Sequence, residues 1–387
     1  MTVIVQVATT TTYQVTATNA AGTPYTMPSV VVTVTTVVGA ASGVIQVPAG
    51  QPIPPRRWVE RQMPPVGLAF MAGQGGKHGR AFYHPGLKGL VFAGGDWRSS
   101  MSAKLQLDGN GEGSEIWTLN ALANTWNLLR PLCVPGAVQP RRPDSVTWAY
   151  DSRRDQGVMA PGYFFEKSSN CGAIEGVGGY TFSFATRQFS GPTLPLPPGG
   201  WGGDIGASFG LYDPVADELI RVRNGGPTLE RLNLATLTWR TQRLWLSTTW
   251  NPNPNRAQPV LDVQGRALYW VDAYGTPPSL IRVRLTDGAV TAVPLPPQYV
   301  PMRDVSAEIY LAFDPRNRVV LLPNNVDMGI TSLKGLGLYF VDAGRWEWES
   351  VPTPAWGSVW GFDDNVGALV GIGKRTNPTA YYLYKVN

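Results

Sequence analysis

The stretch AFYHPGLKGLVFAGGD (81–96), followed after a gap by EIWTLNALANTWNLL (115–129), decides the fold. An apolar run meets a tight turn, then a second apolar run ending in Gly94-Gly95. A long connection follows, then an alternating third run and a fourth that carries Trp126. Short runs bounded by Gly, Pro, Asn and Asp read as strands. No segment longer than a few residues repeats apolar positions at i, i+3 and i+4, as a helix would.

The same order recurs to the C-terminus. Aligned on the turn after the first run, its members are Tyr83-His84-Pro85, Tyr150-Asp151-Ser152, Tyr212-Asp213-Pro214, Leu261-Asp262-Val263, Phe313-Asp314-Pro315 and Phe362-Asp363-Asp364. Successive members are 67, 62, 49, 52 and 49 residues apart, close to the roughly 50-residue period of one class of β-propeller blade. The sixth repeat has no fourth run, because the sequence stops at Asn387. RRWVERQMP (56–64) has the missing character, with Trp58 in the place of Trp126, Trp239 and Trp346. Lending that strand to the last blade closes the ring without a free edge. The expectation is an all-β protein: a six-bladed β-propeller over 56–387, its blades spanning 80–387 and its closing strand 56–63.

The Gly pair at 94–95, the Tyr/Phe-Asp-Pro turns and the Trp-bearing fourth run resemble kelch-type, galactose-oxidase-like β-propellers. The second repeat lacks the Gly pair and the fourth lacks the Trp. Residues 1–40 read as a separate β arm of three alternating runs. The segment TTTYQVTATNAAGTPYTMPSVVVTVTT (10–36) resembles the last strands of a fibronectin type III module, through its Tyr-x-Val-x-Ala-x-Asn-x-x-Gly pattern and closing Val/Thr strand. The first half of such a module is missing, and a small sheet with open edges invites pairing with another chain. Residues 41–55, rich in Gly and Pro and without periodicity, read as a linker.

The net charge of +5 is scattered rather than clustered, which argues against nucleic acid as a partner. Cys133 and Cys171 are too few for a cysteine metal site, and a disulfide between them is neither required nor excluded. The N-terminal MTVIVQVATTTTY does not read as a signal peptide, and no run of about 18 apolar residues offers a membrane span.

In four-stranded blades, the turns joining strands one to two and three to four share a face, and these are tight here. The other connections are long and varied, at 97–114, 133–144, 166–178, 197–204, 246–255, 296–304 and 324–335, and long loops on a rigid scaffold carry function. The expected binding face therefore contains Trp97, Arg98, Trp201, Asp204, Trp250, Asn251, Asn253, Tyr274, Arg303, Asp304, Asn324, Asn325, Asp327 and Trp356. Aromatic rings beside Asn, Asp and Arg stack on sugar faces and bond hydroxyls; the same mixture suits protein interfaces. The competing reading places each Trp as packing between blades.

Catalytic signals are sparse. The copper radical oxidases that the kelch resemblance implies as relatives need histidine ligands, and the chain holds only His78 and His84. Sialidase-type S-x-D-x-G-x-x-W turns are absent, as are G-x-S-x-G and phosphate-loop motifs. Asp204, Asp272, Asp304 and Asp327 could supply a glycosidase carboxylate pair, but no spacing pairs them. The expectation is a non-enzymatic binding or structural protein with no catalytic residues, metal or cofactor. Its arm would dock to other virion or scaffold proteins, or to further copies of itself, and its propeller face would meet a cell-surface glycan or protein receptor. An extracellular-type β architecture without a signal peptide suggests a phage tail or capsid-decoration component, made in a host cytoplasm. The alternatives are a glycan-active enzyme, an intracellular kelch-like adaptor or an exported module.

Overall fold

The residues that end each first strand set the geometry of the blades. In a computed structural model of the chain, the residues described are 16–18, 24–26, 44–65, 80–93, 116–131, 134, 136–138, 148–159, 179–198, 209–222, 228–244, 259–272, 276–299, 311–323, 335–349, 359–372 and 380–387. Every named element among them is a strand, and among them no helix is long and apolar enough to cross a membrane.

Strands β1 (Thr16–Thr18) and β2 (Pro24–Thr26) form an antiparallel pair within the expected arm, with Ala17 opposite Tyr25. Next come β3 (Val44–Gln46) and β4 (Trp58–Gln62). Five four-stranded antiparallel sheets then follow in chain order. The first blade is β5 (Arg80–His84), β6 (Gly89–Ala93), β7 (Ile116–Asn120) and β8 (Thr125–Arg130); the second is β9 (Trp148–Asp151), β10 (Gln156–Met159), β11 (Gly179–Ser183) and β12 (Gln188–Leu194). The third is β13 (Phe209–Asp213), β14 (Glu218–Val222), β15 (Thr228–Asn233) and β16 (Thr238–Arg243). The fourth is β17 (Val260–Asp262), β18 (Ala267–Asp272), β19 (Ser279–Arg284) and β20 (Val290–Pro294). The fifth is β21 (Ala312–Asp314), β22 (Val319–Pro323), β23 (Leu336–Phe340) and β24 (Arg345–Glu349). The sixth blade holds β25 (Val359–Asp363), β26 (Ala368–Ile372) and β27 (Ala380–Tyr384), and β4 pairs with β27 as its fourth strand. The first strands of successive blades neighbour one another around the ring, and β25 returns to β5. The protein is a six-bladed β-propeller.

Register shows that β4 is a true fourth strand. Trp126, Trp239 and Trp346 lie opposite Leu119, Leu232 and Tyr339, which in turn lie opposite Leu90, Leu219 and Val320. Trp58 lies opposite Tyr384, which lies opposite Leu369, so Trp58 occupies the same lattice point. Alternation along β4 then serves two interfaces. Trp58 joins the cluster between the fifth and sixth blades, with Leu338, Tyr382 and Tyr384; Val59 joins the cluster between the sixth and first, with Leu119, Trp126 and Leu383.

The segment read as a linker departs from that reading: it contains β3, which pairs parallel with β4 through Val44–Trp58, Ile45–Val59 and Gln46–Glu60, making the sixth sheet five-stranded. Three residues flanked by Gly and Pro carry too little periodicity to announce a strand, whereas an exposed β4 edge offers them a ladder.

In the fifth blade, glycine makes room for indoles. A Cβ on Gly335 would overlap the Trp348 ring, and one on Gly337 would come within 3.1 Å of Trp346.

Candidate functional site

The binding-face candidates from Trp97 to Trp356, Asn253 and Asn325 among them, lie outside the described residues, as do Cys133 and Cys171. The described strands fix the anchors of these segments. Turns join β5 to β6 and β7 to β8, and their counterparts in the later blades, on one face. The strand ends flanking every long connection lie at the opposite end of each sheet.

Beneath that opposite end sit buried charges that simple alternation does not single out. Arg130, the last residue of β8, is buried with its guanidinium 4.8 Å from the Phe189 ring of the second blade. Burial pushes its pKa down to about 10, and it donates to Val138 O at 3.1 Å. Arg221 and Glu230, directly opposite on β14 and β15, form a buried pair at 3.3 Å. Asp272 closes β18 across from Ser279, both buried. A charge inside an apolar run, as in ELIRV, TLERLN and ALYWVD, is the sequence signal that points to them.

The tight-turn face is described in detail. Each first strand ends in a buried residue: His84, Asp151, Asp213, Asp262, Asp314 or Asp363. The carboxylates accept amide hydrogens two and three residues on, as Asp314 Oδ1 does from Arg316 N (2.9 Å) and Asn317 N (3.1 Å). This local acceptor holds the turn and explains the recurrent Asp. Four residues after each strand end the backbone is left-handed, at Lys88, Asp155, Asp217, Arg266, Arg318 and Gly367, with φ between 50° and 63°.

That left-handed position determines how neighbouring blades are latched. Arg266 of the fourth blade reaches back to Asp213 of the third, and Arg318 of the fifth reaches Asp262 of the fourth at 2.7 Å. Between the second and third blades the signs are rearranged. Arg154 donates to Asp151 at 2.9 Å and to Asp217 at 2.8 and 2.7 Å, while Tyr212 donates to Asp217 at 2.9 Å. Between the first and second the arrangement is inverted, with His84 Nε2 lying 2.9 Å from Asp155 Oδ1. Burial alone would push the Asp213 carboxyl up, but Arg266 and the Val215 and Ala216 amides hold it below the usual range. Hydrogen bonds from Arg154 bring Asp217 down to about 2.

A second tier lies behind the third blade's turn. Glu218 accepts from Arg231 Nε and Arg240 Nε, both at 2.7 Å, and Arg231 Nη1 crosses to Leu285 O of the fourth blade at 2.8 Å. Farther out, Trp239 Nε1 donates to Pro195 O at 2.9 Å and Trp346 Nε1 to Pro294 O at 3.0 Å, each on the preceding blade. A carboxylate held by two arginines, as Glu218 is, suits rigidity rather than proton transfer. Among the described residues no group of three or more His, Cys, Asp or Glu is placed to hold a metal ion.

No protein-family model and no curated protein matches the chain. Solved structures similar to it include TolB from Acinetobacter baumannii, at TM-score 0.42 and 13% identity, over 72% of this chain and 55% of that one. A structural-genomics protein of unknown function from Bacteroides thetaiotaomicron VPI-5482 gives TM-score 0.47 and 11% identity, over 80% and 69%. A chain of a nidogen/laminin complex gives TM-score 0.40 and 11% identity, over 71% and 94%. The chain thus spans little more than half the length of TolB.

Proposed function

We propose that the chain is a non-enzymatic binding protein, its propeller a rigid platform that presents the long connections to a glycan or protein receptor. The observation that carries this reading is the asymmetry between faces. The tight-turn face is closed by short Asp-capped turns and arginine latches, so variable length, aromatic content and polar side chains all fall on connections anchored at the other end. We further propose that residues 1–40 dock to partner subunits of a phage particle, tail or capsid decoration. Support for this comes from the arm's fibronectin-like pattern and the β1–β2 pair, which is too small a sheet to be stable alone. The kelch-like kinship of the blades rests on the Gly94-Gly95 pair and on Trp126, Trp239 and Trp346.

A glycan array with the full chain tests the receptor reading. Binding that falls at least tenfold on Trp201→Ala, Trp250→Ala or Trp356→Ala supports it, and binding unchanged in all three overturns it. Size-exclusion of the chain with and without residues 1–40 tests the arm. Loss of assembly on deletion is expected; a compact monomer in both cases contradicts docking. Glycan turnover abolished by Asp304→Asn or Asp327→Asn would replace the binding reading with an enzymatic one.

A further inference from the structure

Three of the six strand-end positions carry no acid latched by a base among the described residues: Asp314, whose Oδ2 instead accepts from Asn317 Nδ2 at 2.7 Å, and the two that border the first blade, Asp363 and His84. Asp363 is wholly buried at the seam between the sixth and first blades, and its Oδ2 has no hydrogen-bond partner among the described residues. Its Oδ1 accepts from Asn365 N at 2.8 Å and Val366 N at 3.4 Å. Lys88 stands where Arg266 and Arg318 stand in their blades, yet among the described residues no ion pair joins it to Asp363. The other charged or titratable groups described about Asp363 are Asp364 on its own turn, Tyr381 on β27 and Tyr83 on β5. Arg316 of the fifth blade is engaged with Asp364 at 2.8 Å, and Arg61 of β4 is spent on the carbonyls of Ala121 and Leu122.

At the other border His84 is buried. Its Nδ1 accepts from Leu87 N at 3.1 Å, and its ring lies 4.8 Å from Tyr150 and 4.2 Å from Phe184. Asp155 faces Nε2, and Lys88 is the charged residue of its own turn. Protonating Nδ1 would cost the Leu87 amide its acceptor.

We propose that the first blade is the proton-responsive element of the ring: in acid its seam with the sixth blade tightens around Asp363, and its seam with the second loosens around His84. Burial pushes the Asp363 carboxyl up to about 6, against the pull of the Asn365 and Val366 amides. Its contribution to closure is therefore full below 3.8 and is lost as pH rises through about 6. Burial pushes the His84 imidazole down, against Asp155, so its contribution is full above 6.5 and is lost as pH falls below it.

Hydrogen exchange on the full chain, expressed as protection over intrinsic rates near pH 5 and near pH 7.5, reads both seams at once. Protection of 58–62 and 380–384 is expected to be higher in acid by about tenfold, as a carboxyl moved from 3.8 to about 6 gives between these two pH values. Protection of 80–84 and 148–151 is expected to be lower in acid. Asp363→Asn should abolish the first response and spare the second; His84→Gln should do the reverse. Both seams moving in the same direction, or Asp363→Asn keeping the full response at 58–62, would overturn the proposal. Should either variant fail to fold, carboxyl NMR of the wild-type chain decides. An Asp363 resonance titrating between about pH 5 and 7 supports the proposal, and one titrating near 4 overturns it.

Discussion

The seam between the third and fourth blades and the seam between the sixth and first join like elements by different physics. At the former, two arginines cross or face the gap: Arg266 to the buried Asp213, and Arg231 to Glu218 and Leu285 O. At the latter, β4 runs on into the first blade but belongs to the sixth only through its pairing with β27, and the N-terminal segment supplies the material. Val59 and Met63 pack into the apolar cluster, and the buried Arg61 donates to carbonyls of Pro48, Gln51, Ala121 and Leu122. Asn124 Nδ2 donates to Gln62 O at 2.9 Å, Tyr381 Oη to Asn124 Oδ1 at 3.0 Å, and Gly50 N to Leu122 O at 2.7 Å. Where the chain runs on from blade to blade, ion pairs suffice to set the angle between turns. Where the ring must be closed by a returning strand, apolar burial and backbone hydrogen bonds carry the load, since they lose nothing to a missing countercharge.

Removing the closing strand is the largest disturbance this contrast predicts. A chain lacking residues 44–62 should show no cooperative thermal transition by circular dichroism, because the sixth blade loses its fourth strand and two clusters lose Trp58 and Val59. Within β4, Trp58→Ala should cost about 3–5 kcal/mol in chemical denaturation, since the indole is fully buried against Tyr384 at 4.9 Å. Trp346→Ala, at the same lattice point but half-buried, should cost visibly less. Equal losses would deny β4 its special place.

On the ionic side, Arg266→Ala should cost about 3 kcal/mol at neutral pH, because it strips the main partner from a fully buried carboxylate. The cost should shrink as pH falls through the lowered pKa of Asp213, where the carboxyl takes up a proton. Asp363→Asn should act in the opposite sense: stabilising by about 1–3 kcal/mol near pH 8, and neutral near pH 4, where the native carboxyl is already protonated. The smallest expected effect is Trp239→Phe, which removes one hydrogen bond to Pro195 O and should cost about 1 kcal/mol.

Local chemistry is readable in the sequence; chemistry between blades is not. The six aligned turn positions, from His84 to Asp363, are each the last residue of a first strand, because an Asp-capped turn is encoded within five consecutive residues. The likeness of RRWVERQMP to the other fourth runs puts Trp58 beside Trp126, Trp239 and Trp346, and the register agrees. By contrast, the ladder that recruits Val44–Gln46 and the carbonyls that hold Arg61 depend on groups brought together only by the closed ring. The latches leave a local trace: DSRRD and DPVAD place Asp at the left-handed position, whereas DVQGR and DPRNR place Arg there. Which blade each reaches is settled only by the fold. The residues expected on a binding face fall, in the sequence, in long connections where neither periodicity nor capping constrains geometry, so their chemistry is legible and their arrangement is not.

Closure of the ring by the N-terminal strand is tested most directly by cutting that strand's covalent tether. A protease site introduced between residues 66 and 79 would be cleaved in the folded chain, and the products passed through size-exclusion under native conditions. The N-terminal fragment carrying β4 should co-elute with the propeller and separate only in denaturant. A fragment that dissociates freely, leaving a propeller that melts cooperatively at an unchanged temperature, would contradict closure by β4.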